Sequence, residues 1–395
     1  METSDKKPAS PPPPESRFTV NPLTLAIDRW MGRLIRFGGV GVVLAVFGML
    51  AFLILQVFPL FTGAKVESAG ELRVPAGAVA FGEDERGESP YAVLADGRIV
   101  FLGPVAEGRL REWVPPADGR KVTAVRGYPR ANLVFLGFSD GSVQEVRIAF
   151  PATFDEAGRR KVEPAVTALP PWQVGRPGAP CLDVWNAKGP QARLLLVRQE
   201  AAGRSALMAV RLTERKGLGG KAKVVVGEPF EVAADAPTPE KVLLPSTAES
   251  LILIGRSGEV RTYADDGATF GFLQAFVPFK DSADPAVAAA GMIFGNVSVV
   301  FVSRAGEQQV WSMYPQPQPD GRSLRRWGKI HDGETLAGPG EGVYAAEGNK
   351  CYLAVAGGRL QLRNMTTGSL RWEGPAPAAP IRQLAFGPKI GRAHV

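Results

Sequence analysis

The chain has 395 residues, 46 Lys and Arg against 39 Asp and Glu, and a formal net charge of +7. That excess is modest and spread out, unlike the clustered basic footprint of a nucleic-acid-binding element, so no nucleic acid is expected among the partners. With 46 Gly and 34 Pro, turns are plentiful, and the stretch from Val66 onward is long enough for one large core.

Residues 1–36 form a proline-rich tail, with Pro11 to Pro14 in a row, expected to be largely disordered or extended on the cytoplasmic side. From 37 to 64 there is no Asp, Glu, Lys or Arg. A helix rises about 1.5 Å per residue, so roughly 20 apolar residues cross a ~30 Å hydrocarbon layer. Residues 37–62 are read as one transmembrane helix, with Pro59 as a natural stop. Arg29, Arg33 and Arg36 crowd its amino-terminal side, whereas Lys65, Glu67, Glu71 and Arg73 follow it. The positive-inside rule then places the N-terminus in the cytoplasm and the remainder outside, in a bacterial inner membrane with a periplasmic domain. The run is too long and starts too late for a cleaved signal peptide. Gly41 and Ala45 are spaced to let another helix approach.

The body from 66 to 389 repeats one pattern: an apolar run, a short turn containing Gly, then another run. Residues 91–94 meet Asp96-Gly97 and continue as 98–102; residues 133–138 meet Asp140-Gly141 and continue as 142–148. The same grammar joins 251–254 to 259–263 through Ser257-Gly258, and 297–302 to 308–314 through Ala305-Gly306. It recurs at 352–355 and 359–363 around Gly357-Gly358, with a weaker copy, 194–197 and 206–212, around Gly203. The turn glycines are 44, 62, 55, 48 and 52 residues apart. A hairpin every forty to sixty residues is what a four-stranded propeller blade produces. The fold class read from this is mainly β, a propeller of WD or quinoprotein type after one transmembrane α-helix. A large β-sandwich or irregular all-β domain is the competing reading, and the blade number is left open.

Chemical motifs are sparse. Residues 364–372 (NMTTGSLRW) resemble the outer-strand signature of quinoprotein-type propellers, in which Thr-Gly closes a hairpin and Trp packs between blades. Residues 217–223 (GLGGKAK) fail the P-loop pattern and read as a flexible surface loop. Arg322, Arg325, Arg326, Lys329 and His331 make the densest basic cluster, on what alternation makes a solvated face. The carboxylate pairs Asp155 with Glu156 and Asp281 with Asp284 fall in polar loops. There is no Cys-x-x-Cys, no His-x-x-x-His and no Gly-x-Ser-x-Gly, so no catalytic, cofactor-binding or metal residue is assigned, no cofactor is expected, and the chain is read as not an enzyme. Cys181 and Cys351 are read as two lone buried thiols, although outside the cytoplasm they could pair. Residues 381–386, followed by Gly387-Pro388, look like the opening strand of a further blade. Residues 390–395, which include His394, match one reading frame of a widely used sequencing adapter, so they are expected to be an artefact and the natural chain to continue past Lys389.

Residues 33–65, including Pro59-Leu60-Phe61 and Gly63-Ala64, resemble the first span of the long form of the phosphate ABC transporter permease subunit, the PstC type. In that form a large propeller-like insertion follows the first span, matching the order of tail, span and β-rich body here. The resemblance implies the N-terminal fragment of a permease for phosphate import. Its partners would be membrane lipid, the other permease subunit and the ATPase subunit through a region not in this sequence, and the periplasmic phosphate-binding protein. It transfers no substrate-binding residue, because the family's translocation path lies elsewhere. Two other readings stand beside it: a single-span, membrane-tethered β-propeller scaffold in envelope assembly, and an anchored quinoprotein oxidoreductase.

Overall fold

The paired runs of all six expected hairpins are the second and third strands of antiparallel sheets, four of which have four strands and two of which have five. The computed structural model describes residues 22–57, 72, 74–102, 111–116, 118–189, 192–201, 203–216, 222–293, 297–317, 323–336, 340–345, 351–356 and 359–374. The chain divides into two units, Met1–Lys65 and Val66–Val395.

The first unit contains one helix, α1 (Pro22–Val57), of 36 residues. It starts well before residue 37, so residues 22–36, expected within a largely disordered tail, are helical. The reason is local. Proline suits a first helical position, and Leu23, Leu25, Ile27, Met31 and Leu34 are good or acceptable helix formers with no internal proline. At about 1.5 Å per residue α1 is about 54 Å long, so its amino-terminal turns exceed what a ~30 Å hydrocarbon layer needs. None of its apolar window is buried, and Phe37, Leu44, Phe47 and Leu55 are all more than 60% exposed. In water such a surface is untenable, and α1 is a membrane anchor.

The second unit is a six-bladed β-propeller. Blade 1 is β1 (Ala78–Gly82), β2 (Tyr91–Leu94), β3 (Ile99–Phe101) and β4 (Arg111–Trp113). Blade 2 is β5 (Val122–Tyr128), β6 (Leu133–Phe138) and β7 (Ser142–Ala149). A separate hairpin follows, β8 (Ala152–Phe154) with β9 (Arg160–Val162), before β10 (Ala165–Ala168) and β11 (Trp172–Gln173) both pair with β7. Blade 3 is β12 (Cys181–Lys188), β13 (Arg193–Ala201), β14 (Arg204–Lys216) and an outer edge in two pieces, β15 (Ala222–Val226) and β16 (Phe230–Val232). Blade 4 is β17 (Lys241–Leu243), β18 (Ser250–Ile254), β19 (Val260–Asp265) and β20 (Phe270–Phe276). Blade 5 is β21 (Val287–Ile293), β22 (Ser298–Ser303), β23 (Gln308–Pro317) and β24 (Ser323–Gly333); blade 6 is β25 (Gly340–Ala345), β26 (Cys351–Ala356), β27 (Arg359–Asn364) and β28 (Leu370–Gly374). The inserted β8–β9 hairpin accounts for the longest glycine interval, from 141 to 203.

The second strands of blades 2 to 5 read as unbroken apolar runs because a blade covers each of their faces. In β13, Leu194 and Leu196 pack toward blade 4 with Leu251, Leu253 and Tyr263, while Leu195 and Val197 pack toward blade 2 with Phe135 and Val143. Blades 1 and 2 meet through Tyr91, Val93 and Phe101 against Val134, Leu136 and Phe138. Ile252, Ile254 and Val260 of blade 4 meet Val299, Phe301 and Trp327 of blade 5, and Val300 and Val302 of blade 5 meet Tyr352 and Ala354 of blade 6. Fully burying one such side chain stabilises by about 1.5–3 kcal/mol.

Candidate functional site

In an up-and-down sheet, the turn between strands two and three lies at the same end as the connection to the next blade. The four turns at Gly97, Gly141, Gly258 and Gly306 share one geometry. Each glycine has φ between +84° and +86° and donates its N–H to the carbonyl three residues back, at 2.9–3.2 Å. This is a type I turn closed by a left-handed bulge residue. At Gly258 a β-carbon would also run into the carbonyl of Pro285 in the following connection. These turns therefore position the loops of the same end.

Two buried glutamines, Gln199 and Gln308, fix those loops, and the half-buried Gln274 joins blade 4 to blade 5. Gln199 accepts from the Arg176 N–H at 2.7 Å and donates to the Ala179 carbonyl at 2.5 Å. Gln308 donates to the Glu334 carbonyl at 2.6 Å and accepts from the Tyr352 hydroxyl at 2.8 Å. Burial pushes the Tyr352 phenol up to about 12, so it remains a donor. Gln274 brackets Trp327, accepting from its N–H and donating to its carbonyl, both at 3.0 Å.

Beside the blade 5 turn lies a cavity of about 210 Å³. Asp281 and Ser282 come from the connection before blade 5, Glu307 from the turn, and Asp332 and Thr335 from the end of the blade. The Ser303 hydroxyl accepts from the Glu307 N–H at 3.1 Å and so fixes where Glu307 starts. Glu307 Oε2 is buried with no hydrogen-bond partner, whereas Asp332 pairs with Lys329 at 2.9 Å. Among the described residues, no Lys or Arg lines the cavity. With Lys329 set against Asp332, the Asp281 and Glu307 carboxylates leave net negative charge at the cavity, which suits a positively charged group. Among the described residues, no three His, Cys, Asp or Glu are grouped to hold a metal.

Most residues singled out from the sequence have other roles. Asp284 accepts from the Ala286 N–H at 3.0 Å, so only Asp281 of that pair reaches the cavity. Asp155 turns the β8–β9 hairpin, and hydrogen bonds from the Arg159 and Ala157 N–H groups and the Arg159 guanidinium hold its carboxyl below the usual range. Glu156 is exposed. Arg325, Arg326 and Lys329 are exposed on β24; Arg322 lies outside the described residues. His331 leaves that cluster: its Nε2 bonds the Met365 carbonyl at 2.5 Å, pinning blade 5 to blade 6. In the Thr-Gly turn, the Asn364 side chain accepts from the Thr366 and Thr367 N–H groups at 2.8 and 3.2 Å, and Trp372 is half-buried. Of residues 217–223, read as a loop, Ala222 and Lys223 belong to β15, and 217–221 lie outside the described residues. Both cysteines are free. Cys181 is fully buried and its thiol pushed up to about 12 by burial, while Cys351 is half-buried rather than buried. A β-carbon on Gly41 would meet nothing within 4 Å. His394 and residues 375–395 lie outside the described residues.

No protein-family model matches the chain, and no curated protein matches it in sequence. Among solved structures it is similar to the Cps50 (Swd1) β-propeller domain of Myceliophteria thermophila, at 10% identity and a TM-score of 0.45, over 78% of this chain and 89% of that one. Chaetomium thermophilum Sqt1, bound to the N-terminus of ribosomal protein L10, aligns at 8% identity and a TM-score of 0.42, over 74% and 73%. A chain of the mitotic checkpoint complex aligns at 10% identity and a TM-score of 0.44, over 80% and 85%. These are likenesses of fold. Nothing in them points to phosphate transport.

Proposed function

We propose that this is a single-span, membrane-tethered β-propeller scaffold, held outside the cytoplasm and binding a protein partner on the end that carries the glycine turns. The observation that carries it is a cavity lined by three carboxylates from three separate segments, on a domain whose chain begins in a membrane anchor. A lysine or arginine side chain of the partner suits that cavity. Arg29, Arg33 and Arg36 before the span support a cytoplasmic N-terminus and an exported propeller in a bacterial inner membrane.

A transport role is the second reading, and it rests on the resemblance of residues 33–65 to a phosphate permease span. One helix cannot shield a polar solute from lipid, so in that reading the anchor and propeller serve a larger assembly with further permease and ATPase subunits and a binding protein. An anchored quinoprotein rests only on the turn at residues 364–372.

The scaffold reading is tested with a photo-crosslinking residue at position 307 in intact cells, against the same probe at position 225 on an outer strand. The expected result is a discrete protein adduct at 307 that is lost when Asp281 and Asp332 are changed to Asn. Equal labelling at both positions, or adducts indifferent to the acidic residues, overturns it. An adduct formed only with permease or ATPase subunits favours the transport reading.

A further inference from the structure

The connection from blade 4 to blade 5, residues 277–286, runs between two recesses. On one side is the acidic cavity, to which it contributes Phe279, Asp281 and Ser282. On the other, beside the blade 4 turn, is an open groove of about 490 Å³ lined by Ala275, Phe276, Val277, Lys280 and Pro285. The two recesses share a wall. Gln309, which lines the cavity, accepts from the Trp311 indole N–H at 2.9 Å, and the Trp311 ring stacks at 4.2 Å on Phe276, which lines the groove. The connection itself is pinned. Phe279 is buried in the cluster that blades 4 and 5 share, and its carbonyl accepts from the Ser282 N–H at 3.0 Å. Both recesses therefore exist before a partner arrives, and occupying them costs little loop ordering.

Charge changes sign across the connection. The neighbours Lys280 and Asp281 line opposite recesses. Glu259 also lines the groove, but it pairs with Arg261 at 3.0 Å. Lys280 is exposed and, among the described residues, is paired with no carboxylate, so the groove keeps a positive charge over an apolar floor. We infer that the protein partner binds through one extended segment that straddles residues 277–286. A lysine or arginine of that segment enters the cavity, and an apolar side chain lies on Phe276 and Val277 with a neighbouring aspartate or glutamate facing Lys280. This rests on the scaffold reading and adds the chemical pattern of what the scaffold holds. A segment with the opposite order of charges meets like charge at both recesses and is rejected.

Photo-crosslinking residues placed singly at positions 307 and 275 of the full chain in intact cells test this, with mass spectrometry of the adducts. Both probes should capture the same protein, at sites within one continuous stretch of it. Lys280→Glu, an exposed position, should leave the melting temperature unchanged and lower the adduct yield at 275 by roughly 3- to 10-fold. An acid-dependent adduct at 307 without one at 275, or a 275 adduct indifferent to K280E, overturns the two-recess inference and leaves the scaffold reading standing. So do adducts at 307 and 275 that map to different proteins. Absence of an acid-dependent adduct at 307 overturns both.

Discussion

α1 and β13 both carry unbroken runs of large apolar residues, yet α1 exposes nearly every large side chain and the Leu194–Val197 run of β13 exposes none. In β13, Leu194 to Val197 are each at most 2% exposed because sheets from two other blades flank them. In α1, none of the described residues covers Leu44, Phe47 or Leu55, and a bilayer supplies the apolar surroundings they need. What matters is which solvent receives the apolar surface. The contrast assigns the two units to two environments and makes each vulnerable to a different substitution.

The largest effect should come from charges placed in the anchor. Leu44→Arg with Phe47→Asp costs about 2.5–3.5 kcal/mol per charge for insertion. The protein should leave the membrane fraction while its propeller keeps its melting temperature. Leu196→Ala should do the reverse: the protein stays in the membrane, and the propeller loses about 2–5 kcal/mol in denaturant unfolding. A smaller loss, about 1–3 kcal/mol, is expected for Gly258→Ala, which meets both a positive φ and the Pro285 carbonyl. Gly267→Ala, also at positive φ but with nothing within 4 Å of its β-carbon, separates backbone strain from collision.

The smallest effect concerns acid. Asp84 is buried, which pushes its carboxyl up, but N–H groups of Ser89 and Arg86 and the Arg160 guanidinium outweigh this and hold it below the usual range. Its ionised form therefore stabilises the fold fully above its unfolded value of about 3.9, and that contribution fades as pH falls through the lower folded value. Thermal melts between pH 5 and pH 2 should show a shallower decline in Asp84→Asn than in the unaltered protein.

The sequence announced the second and third strands of every blade, because a run buried on both faces and a Gly turn leave a local trace. Outer strands such as β4 and β16 are 3 residues long and half-exposed, too short to carry a pattern. Blade number stayed open for the same reason, and the β8–β9 insertion blurred the period. The amino-terminal start of α1 was missed because Pro11 to Pro14 and the charges at 28–36 suggest disorder, whereas Pro22 opens a helix. The acidic cavity had no sequence signal: Asp281, Glu307 and Asp332 are about 25 residues apart and meet only because consecutive loops converge at one end. His331 looked like part of a basic surface until Met365 of the next blade supplied its partner.

Separating the two units tests the account most directly. Full-length protein and residues 66–395 alone would be followed by flotation with lipid vesicles and by thermal unfolding. The full chain should float and resist alkaline extraction, and the shorter chain should stay soluble with a β-rich spectrum and cooperative melting. A full chain released by alkali, or a 66–395 chain that floats with the vesicles, would contradict assignment of the anchor to α1.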